Sequence, residues 1–338
     1  GLPDSLDPYP SDSQNAWDLR EAGSDGVFDT ADDVIHRLLL KDAYTNGTAI
    51  NLLIEDGSLG AGSYRFTANV TLTDIVGNVL DGDAVTSGSQ PYEHFFTIAP
   101  PAGVTTEGGR NNILTNATAL SLSEDPSGKG LWLAYGMGNQ DPATMYNNWS
   151  DPDYWKVELQ AGDLVSVYVN TPESDLNPYV ELRDAQGNYL TADDYAGANN
   201  DSFISRYAVG QSGTYYLQIG KYYYDTVGGS YELLVDVARG IDMESDAHYS
   251  NNPLNGANVL HFTNNAGDQV ATVAGAIMAP ENRMDIDLYA LGRFNAGNTI
   301  NLTATLPSTS NLLPIVTLLD EAGNFVADAD GKYLDGSY

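Results

Sequence analysis

The stretch "SDGVFDTADD" places Asp25, Asp29, Asp32 and Asp33 around Gly26. Calcium takes about six to eight hard oxygens at flexible spacing, and a glycine-turned loop with closely spaced carboxylates offers them. The spacing and terminal Glu of an EF-hand loop are absent, so the alternative is a solvated acidic turn. Two acidic pairs recur further on, Asp151 with Asp153 in "SDPDYW" and Asp285 with Asp287 in "RMDIDLY". Alternate positions on a strand point to one face, so each pair projects together. The loop "TADDYAGANNDS" adds Asp193, Asp194, Asn200 and Asp201, and "ADADGKYLD" adds Asp328 and Asp330. All are candidate calcium ligands, set against polar strand faces and side chains that cap loop backbone.

Aromatic residues offer a second chemistry. "MYNNWSDPDYW" carries Tyr146 and Trp149, and "KYYYDTVGGSY" carries Tyr222 and Tyr224, flat rings suited to stacking on sugars or peptide. Alternation along a strand sends every second ring inward, which makes a structural role their default. Catalytic signatures are missing: His36, His94, His248 and His261 are scattered without H-E-x-x-H spacing, and no G-x-S-x-G elbow occurs. The expectation is a protein without enzymatic activity.

The elements that must position these residues are strands. Apolar and polar residues alternate in "SYRFTANVTL", "LVSVYVN", "TYYLQI" and "SYELLVDV", the period of half-buried strands. Between such runs lie "DIVGN", "LQAGD", "DAQGN" and "DEAGN", where Gly, Asn and Asp supply turn conformations. Many short strands with frequent turns imply an all-β chain of tandem antiparallel β-sandwiches. "DDVIHRLLLKDA" looks mildly helical, but Asp and Gly crowd its start and a strand is favoured there. The Pro-Gly stretch "TIAPPAGVTTEGG" and the acidic "DVARGIDMESDAH" mark boundaries, which predict domains at 1–100, 101–240 and 241–338.

The 338 residues carry 46 acidic and 14 basic side chains, a formal charge of −32. That field repels nucleic acid and anionic membranes, and it favours cations wherever carboxylates converge. With no cysteine, disulfides and thiolate metal sites are excluded. No apolar run reaches the length of a membrane span, and "GLPDSLDPYP" reads as the start of a mature or internal piece.

The chain also repeats itself. "NNILTNATAL" from Asn111 matches "NNPLNGANVL" from Asn251, Asp151 and Asp153 match Asp285 and Asp287, and "PYVELRDAQGNYL" from Pro178 matches "PIVTLLDEAGNFV" from Pro314. Matches that stay in order are the mark of a duplicated domain. The series "DPDYWKVELQAGD", "NPYVELRDAQGNYL", "SGTYYLQIG" and "GGSYELLV" resembles the bacterial pre-peptidase C-terminal domain, a secreted jelly-roll β-sandwich similar to the collagen-binding domains of clostridial collagenases. The resemblance spans 107–238 fully and 248–338 in part, where the second copy lacks a counterpart of "GTYYLQIG" and "GGSYELLV". The first segment, with "LGAGSYRFTANVTLTDIVGNVLDGD" and "YEHFFTIA", resembles bacterial Ig-like domains of surface-layer proteins without their opening strand.

Together these imply a secreted or surface-exposed bacterial segment, structural or adhesive, that is stabilised by calcium. Its partners would be other domains or copies of itself, assembled by strand complementation, with polysaccharide or extracellular protein as a further ligand. The alternative is a binding module that holds a secreted hydrolase or peptidase on polysaccharide or collagen-like substrate.

Overall fold

The computed structural model describes residues 16–40, 49–54, 59–74, 76–83, 85, 88–108, 111–140, 151–222, 227–278 and 284–327. Strands dominate, and among the described residues the helical elements are short 3₁₀ turns. In the first segment β1 (Trp17–Glu21), β2 (Val34–His36), β3 (Leu38–Leu40), β4 (Leu52–Ile54), β5 (Gly62–Ala68) and β6 (Tyr92–Ile98) form a sheet of order β2-β1-β5-β6 and a separate β3-β4 pair. "VIHRLLL" is thus extended, as its β-branched start favours. Alternate residues Trp17 and Leu19 of β1 turn inward with Leu38 and Tyr64, and the Tyr64 ring stacks on Phe96 at 5.3 Å.

The second segment is a complete sandwich. Its strands are β7 (Val104–Thr106), β8 (Thr118–Ala119), β9 (Ser123–Glu124), β10 (Leu131–Gln140), β11 (Asp153–Leu159), β12 (Leu164–Asn170), β13 (Pro178–Arg183), β14 (Tyr189–Asp193), β15 (Ser202–Ala208), β16 (Gly213–Lys221) and β17 (Gly229–Ala238). One sheet runs β15-β12-β17-β10-β7, with β9 also on β10, and the other runs β14-β13-β16-β11-β8. The pairings are antiparallel except for β7 on β10 and β8 on β11, which are parallel. Alternation fills the space between the sheets: Trp155, Val167, Val180, Leu182, Leu217, Ile219, Val235 and Val237 are wholly buried. Such burial contributes about 1.5–3 kcal/mol for each large apolar side chain.

The third segment holds β18 (Asp242–Met243), β19 (Asn258–Val259), β20 (Thr263–Asn265), β21 (Asp268–Val270), β22 (Val273–Ala274) and β23 (Tyr289–Ala290). β18 pairs in parallel with β22, β19 in parallel with β23, and β20 antiparallel with β21. This segment leans on the second. Met278 packs with Tyr168, Ala196 and Phe203, while Met243 and Ala274 pack with Ala238. Arg206 donates to the Met243 carbonyl and to Asp242, at 2.8 and 3.2 Å.

Candidate metal centre

The second segment gathers a buried acidic cluster where its first strand ends. Glu107 follows β7, Asp151 and Asp153 lie at the start of β11, and Asn111 and Gln140 complete the group; all five are at most 7% exposed. Two glycines of β10 make room for it. A Cβ on Gly138 would meet the Tyr231 hydroxyl at 2.3 Å and Glu107 Oε2 at 2.5 Å, and one on Gly136 would meet Trp155 at 3.1 Å. Glycine inside a strand commonly marks such close approach. Trp155 Nε1 donates to the Tyr231 hydroxyl at 2.9 Å, and that hydroxyl lies 2.8 Å from Asp153 Oδ2 and 3.3 Å from Glu107 Oε2. Gln140 Nε2 donates to the same Asp153 oxygen at 2.6 Å, and Asn112 Nδ2 to Asp151 at 2.6 Å.

These donors do not satisfy the cluster. Asp153 Oδ1, Gln140 Oε1 and both side-chain polar atoms of Asn111 are buried without a hydrogen-bond partner among the described residues. Burial, then the facing charges of Glu107 and Asp151, push the Asp153 carboxyl well above its ordinary pKa. Buried carboxylates without cations are costly, so the group must take up a proton or a positive ion.

The third segment repeats this arrangement. Glu244 follows β18 as Glu107 follows β7, and Asn251 with Asn252 occupies the place of Asn111 with Asn112. Asp285 and Asp287 stand before β23 as Asp151 and Asp153 stand at β11. Here too a glycine gives way, since a Cβ on Gly275 would meet Glu244 Oε2 at 2.5 Å and the Tyr289 hydroxyl at 2.6 Å. Asp246, fully buried, joins Asp285 and Asp287 with one carboxylate oxygen of each within 4.8 Å of the others. Asp246 Oδ2, Asp285 Oδ1 and Asn251 Oδ1 are buried and unpartnered among the described residues. Burial and the neighbouring carboxylates push Glu244 up to about 8, Asp287 to about 7 and Asp246 to about 6. Convergent carboxylate and amide oxygens form a hard-donor set, and Asp246, Asp285 and Asp287 could hold a metal ion.

The sequence pointed to Asp151, Asp153, Asp285 and Asp287 and missed Glu107, Glu244, Asn111, Asn251 and Asp246. A signal for most of these was present: a Glu shortly before "NN" occurs in both copies. Asp246 sits in the stretch between Glu244 and Asn251, which is longer than its counterpart after Glu107 and gave nothing to align.

The other candidates have different partners. Asp29 is held by both guanidinium nitrogens of Arg65 at 2.7 and 2.8 Å and by Arg20, and the Arg65 hydrogen bonds hold its carboxyl below the ordinary range. Asp32 accepts from Thr30, from the Ser24 hydroxyl and from the backbone N–H of Ser24 and Asp25, which lowers its pKa. Asp33 accepts from the Asp29 N–H and Arg20, and Asp25 from the Val27 N–H. The acidic loop is therefore held by its own hydroxyl and backbone N–H donors and by Arg20 of β1 and Arg65 of β5. Asp193 accepts the N–H groups of Tyr195, Ala196 and Phe203, and Asp201 is bound by Thr171 through N–H and hydroxyl. Both carboxylates cap loop backbone here. Asp194 and Asn200 join neither cluster, the former half-buried and the latter exposed with φ of 67°. Tyr222 presents its ring to solvent, 47% exposed. Asp328, Asp330, Tyr146, Trp149 and Tyr224 lie outside the described residues.

A cavity of about 710 Å³ lies between the loops 170–177, 198–201 and 276–278, and two of its lining residues touch the third segment's cluster: the Ala276 N–H donates to Glu244 and the Met278 N–H to Asp285 at 2.6 Å. Its lining holds no histidine, lysine or arginine that would complete an acid/base set.

No curated protein matches the chain. Among solved structures, a periplasmic inhibitor of g-type lysozyme from Aeromonas hydrophila is 13% identical, with 40% of this chain and 96% of that one covered at a TM-score of 0.25. The pre-peptidase C-terminal domain of collagenase from Bacillus anthracis is 20% identical, with 35% and 93% covered at a TM-score of 0.25. Residues 151–221, from the acidic pair before β11 to the end of β16, match the bacterial pre-peptidase C-terminal domain.

Proposed function

We propose that the chain is a non-catalytic extracellular segment of a large bacterial surface or filament-forming protein, with calcium in its two buried acidic clusters. One observation carries this reading: the same set of Glu, Asn and paired Asp recurs, with unpartnered buried oxygens, just after the strand by which each of the last two segments begins. A buried group that repeats beside a joint serves the joint. Glu244 sits between Met243, packed on the second segment, and Asp246, whose N–H donates to Ser205 of that segment at 2.9 Å. An ion there would tie the joint to the body of the third segment and remove carboxylate repulsion from it. The role is mechanical, structural or adhesive, with homotypic contacts made by strand addition, at the cell surface or secreted.

Titration calorimetry of the full chain with calcium tests this. Binding is expected, and Asp153→Asn and Asp287→Asn should each remove one class of sites while leaving the other. Absence of any heat and of any rise in melting temperature with calcium would overturn it. A second reading, an accessory module of a secreted peptidase or hydrolase, is favoured by the match of 151–221 to the pre-peptidase domain. It predicts saturable retention of the chain on insoluble collagen or polysaccharide.

A further inference from the structure

The cavity between the second and third segments has fixed walls. Its loop 170–177 is tied down, because Thr171 donates to Asp201 through its N–H and hydroxyl at 3.1 and 2.7 Å, and the Ser174 hydroxyl donates to the Ser230 carbonyl at 2.7 Å. Gly229 makes room for that seat, since a Cβ there would meet Ser174 at 2.5 Å. In the second loop Asn199 and Asn200 both take left-handed backbone, with φ of 54° and 67°, and the Gly197 N–H closes the turn on the Asp201 carbonyl at 2.9 Å. Consecutive residues with side chains in that region cost free energy, and such positions gather at ligand clamps.

The chemistry of the lining is one-sided. Asp175, Asp201 and Glu232 stand there among amides and hydroxyls, and no basic side chain does. Asp201 is bound by Thr171, whereas Asp175 and Glu232 are exposed and make no hydrogen bond or ion pair among the described residues. Tyr168 lines the cavity as well, 7% exposed and stacked on Phe203 at 4.4 Å, and its hydroxyl has no hydrogen-bond partner among the described residues. Burial, then the charges of Asp236, Glu244, Asp246 and Asp287, push that phenol well above its ordinary pKa. Held protonated, it keeps lone pairs for an N–H donor. A concave site lined by one sign of charge focuses its field and draws the opposite sign. Leu234 and Met278 supply apolar surface beside the carboxylates.

We infer that this cavity binds an organic cation, an ammonium or guanidinium group carried on an aliphatic stem. Asp175, Glu232 and the Tyr168 hydroxyl would accept hydrogen bonds from the head group, and the stem would lie on Leu234 and Met278. A volume of about 710 Å³ is within the range of small-ligand sites, roughly 300–1,000 Å³, and is more than a bare ion fills. An anion would meet only like charge, and a neutral sugar would desolvate the carboxylates without neutralising them. A free polyamine and a lysine side chain of a partner polypeptide share the required chemistry, and the test separates them. The inference goes beyond the calcium reading and does not depend on it.

The test follows isotope-labelled methionine methyl groups of the full chain by NMR while spermidine, a capped Gly-Lys-Gly tripeptide or cellobiose is added, in calcium and again in EDTA. Met278 lines the cavity and Met137 does not. The Met278 signal should shift saturably with one equivalent of amine bound, and Met137 should stay in place. Glu232→Gln should weaken binding about tenfold, as loss of a charged hydrogen bond does. Glu158→Gln, which removes the same charge from β11, should leave binding unchanged, and Tyr168→Phe should weaken it while keeping the ring. A response to the tripeptide alone would place the group on a polypeptide partner, and a response to spermidine alone would make it a free amine. No shift of Met278, or shifts of Met137 and Met278 together in proportion to added amine, would overturn the inference. So would equal weakening by the two Glu variants, or an equal response to cellobiose.

Discussion

Asp153, Asp246, Asp287 and Glu244 are the residues on which the chemistry turns. Each has a pKa raised by burial and by like charge. A raised carboxyl binds a proton more tightly folded than unfolded, so its stabilising share is full below the ordinary value of about 4 and is lost as pH rises through the folded value. In EDTA the chain should therefore lose stability between about pH 4 and 8, with the top of that window set by Glu244 at about 8. Calcium, if it occupies the clusters as proposed, would hold the anionic forms and should flatten the fall, with melting curves at pH 5, 6, 7 and 8 as the check. A site saturated at about a hundred times its Kd adds about 2.7 kcal/mol. Asp236 will not respond to the ion in this way, for it stands outside both clusters and burial alone pushes it up to about 7.

At the scale of elements, the glycines of β10 are the most demanding positions. Gly138→Ala puts a Cβ 2.3 Å from the Tyr231 hydroxyl, on a ring fixed between Trp155 and Asp153. Neither the strand pair β10–β17 nor the ring can yield cheaply, so a loss of about 1–3 kcal/mol is expected in denaturant melts, together with weakened calcium binding. Gly275→Ala should disturb the third segment's acidic cluster in the same way, while a change at Gly162, in an open turn, should spare both clusters. Strands were legible in the sequence because alternation is a local signal, and the duplication was legible because turns such as "DAQGN" and "DEAGN" recur. The acidic clusters were legible only in part. Asp151 and Asp153 stand two apart and show themselves, but Glu107 joins Asp153 through the Tyr231 hydroxyl, from strands far apart in the chain, and Gln140 carries no pattern of its own. In "SDGVFDTADD" a count of carboxylates says nothing of Arg65, which arrives from β5 to hold Asp29.

For the whole molecule the decisive place is the joint between the second and third segments. It is built from Ala238, Ala274 and Met243 on one side, from Met278 against the stacked rings of Tyr168 and Phe203 on the other, and from Arg206, which crosses it with φ of 52°. Inter-domain motion is the ordinary expectation unless the interface is large and apolar, so an ion at the joint would add to what these contacts supply. Glu244 and Asp246 lie in the same connecting stretch as Met243. An ion shared by Asp246, Asp285 and Asp287 would fix that stretch to the far side of the third segment. Limited proteolysis should then cleave between 239 and 250 readily in EDTA and about tenfold more slowly in calcium, because opening of the joint sets the rate. Arg206→Ala should raise cleavage in both conditions, whereas Asp246→Asn should raise it in calcium alone. Equal cleavage of the unsubstituted chain with and without calcium would mean that the acidic clusters stabilise their own segments and leave the joint free.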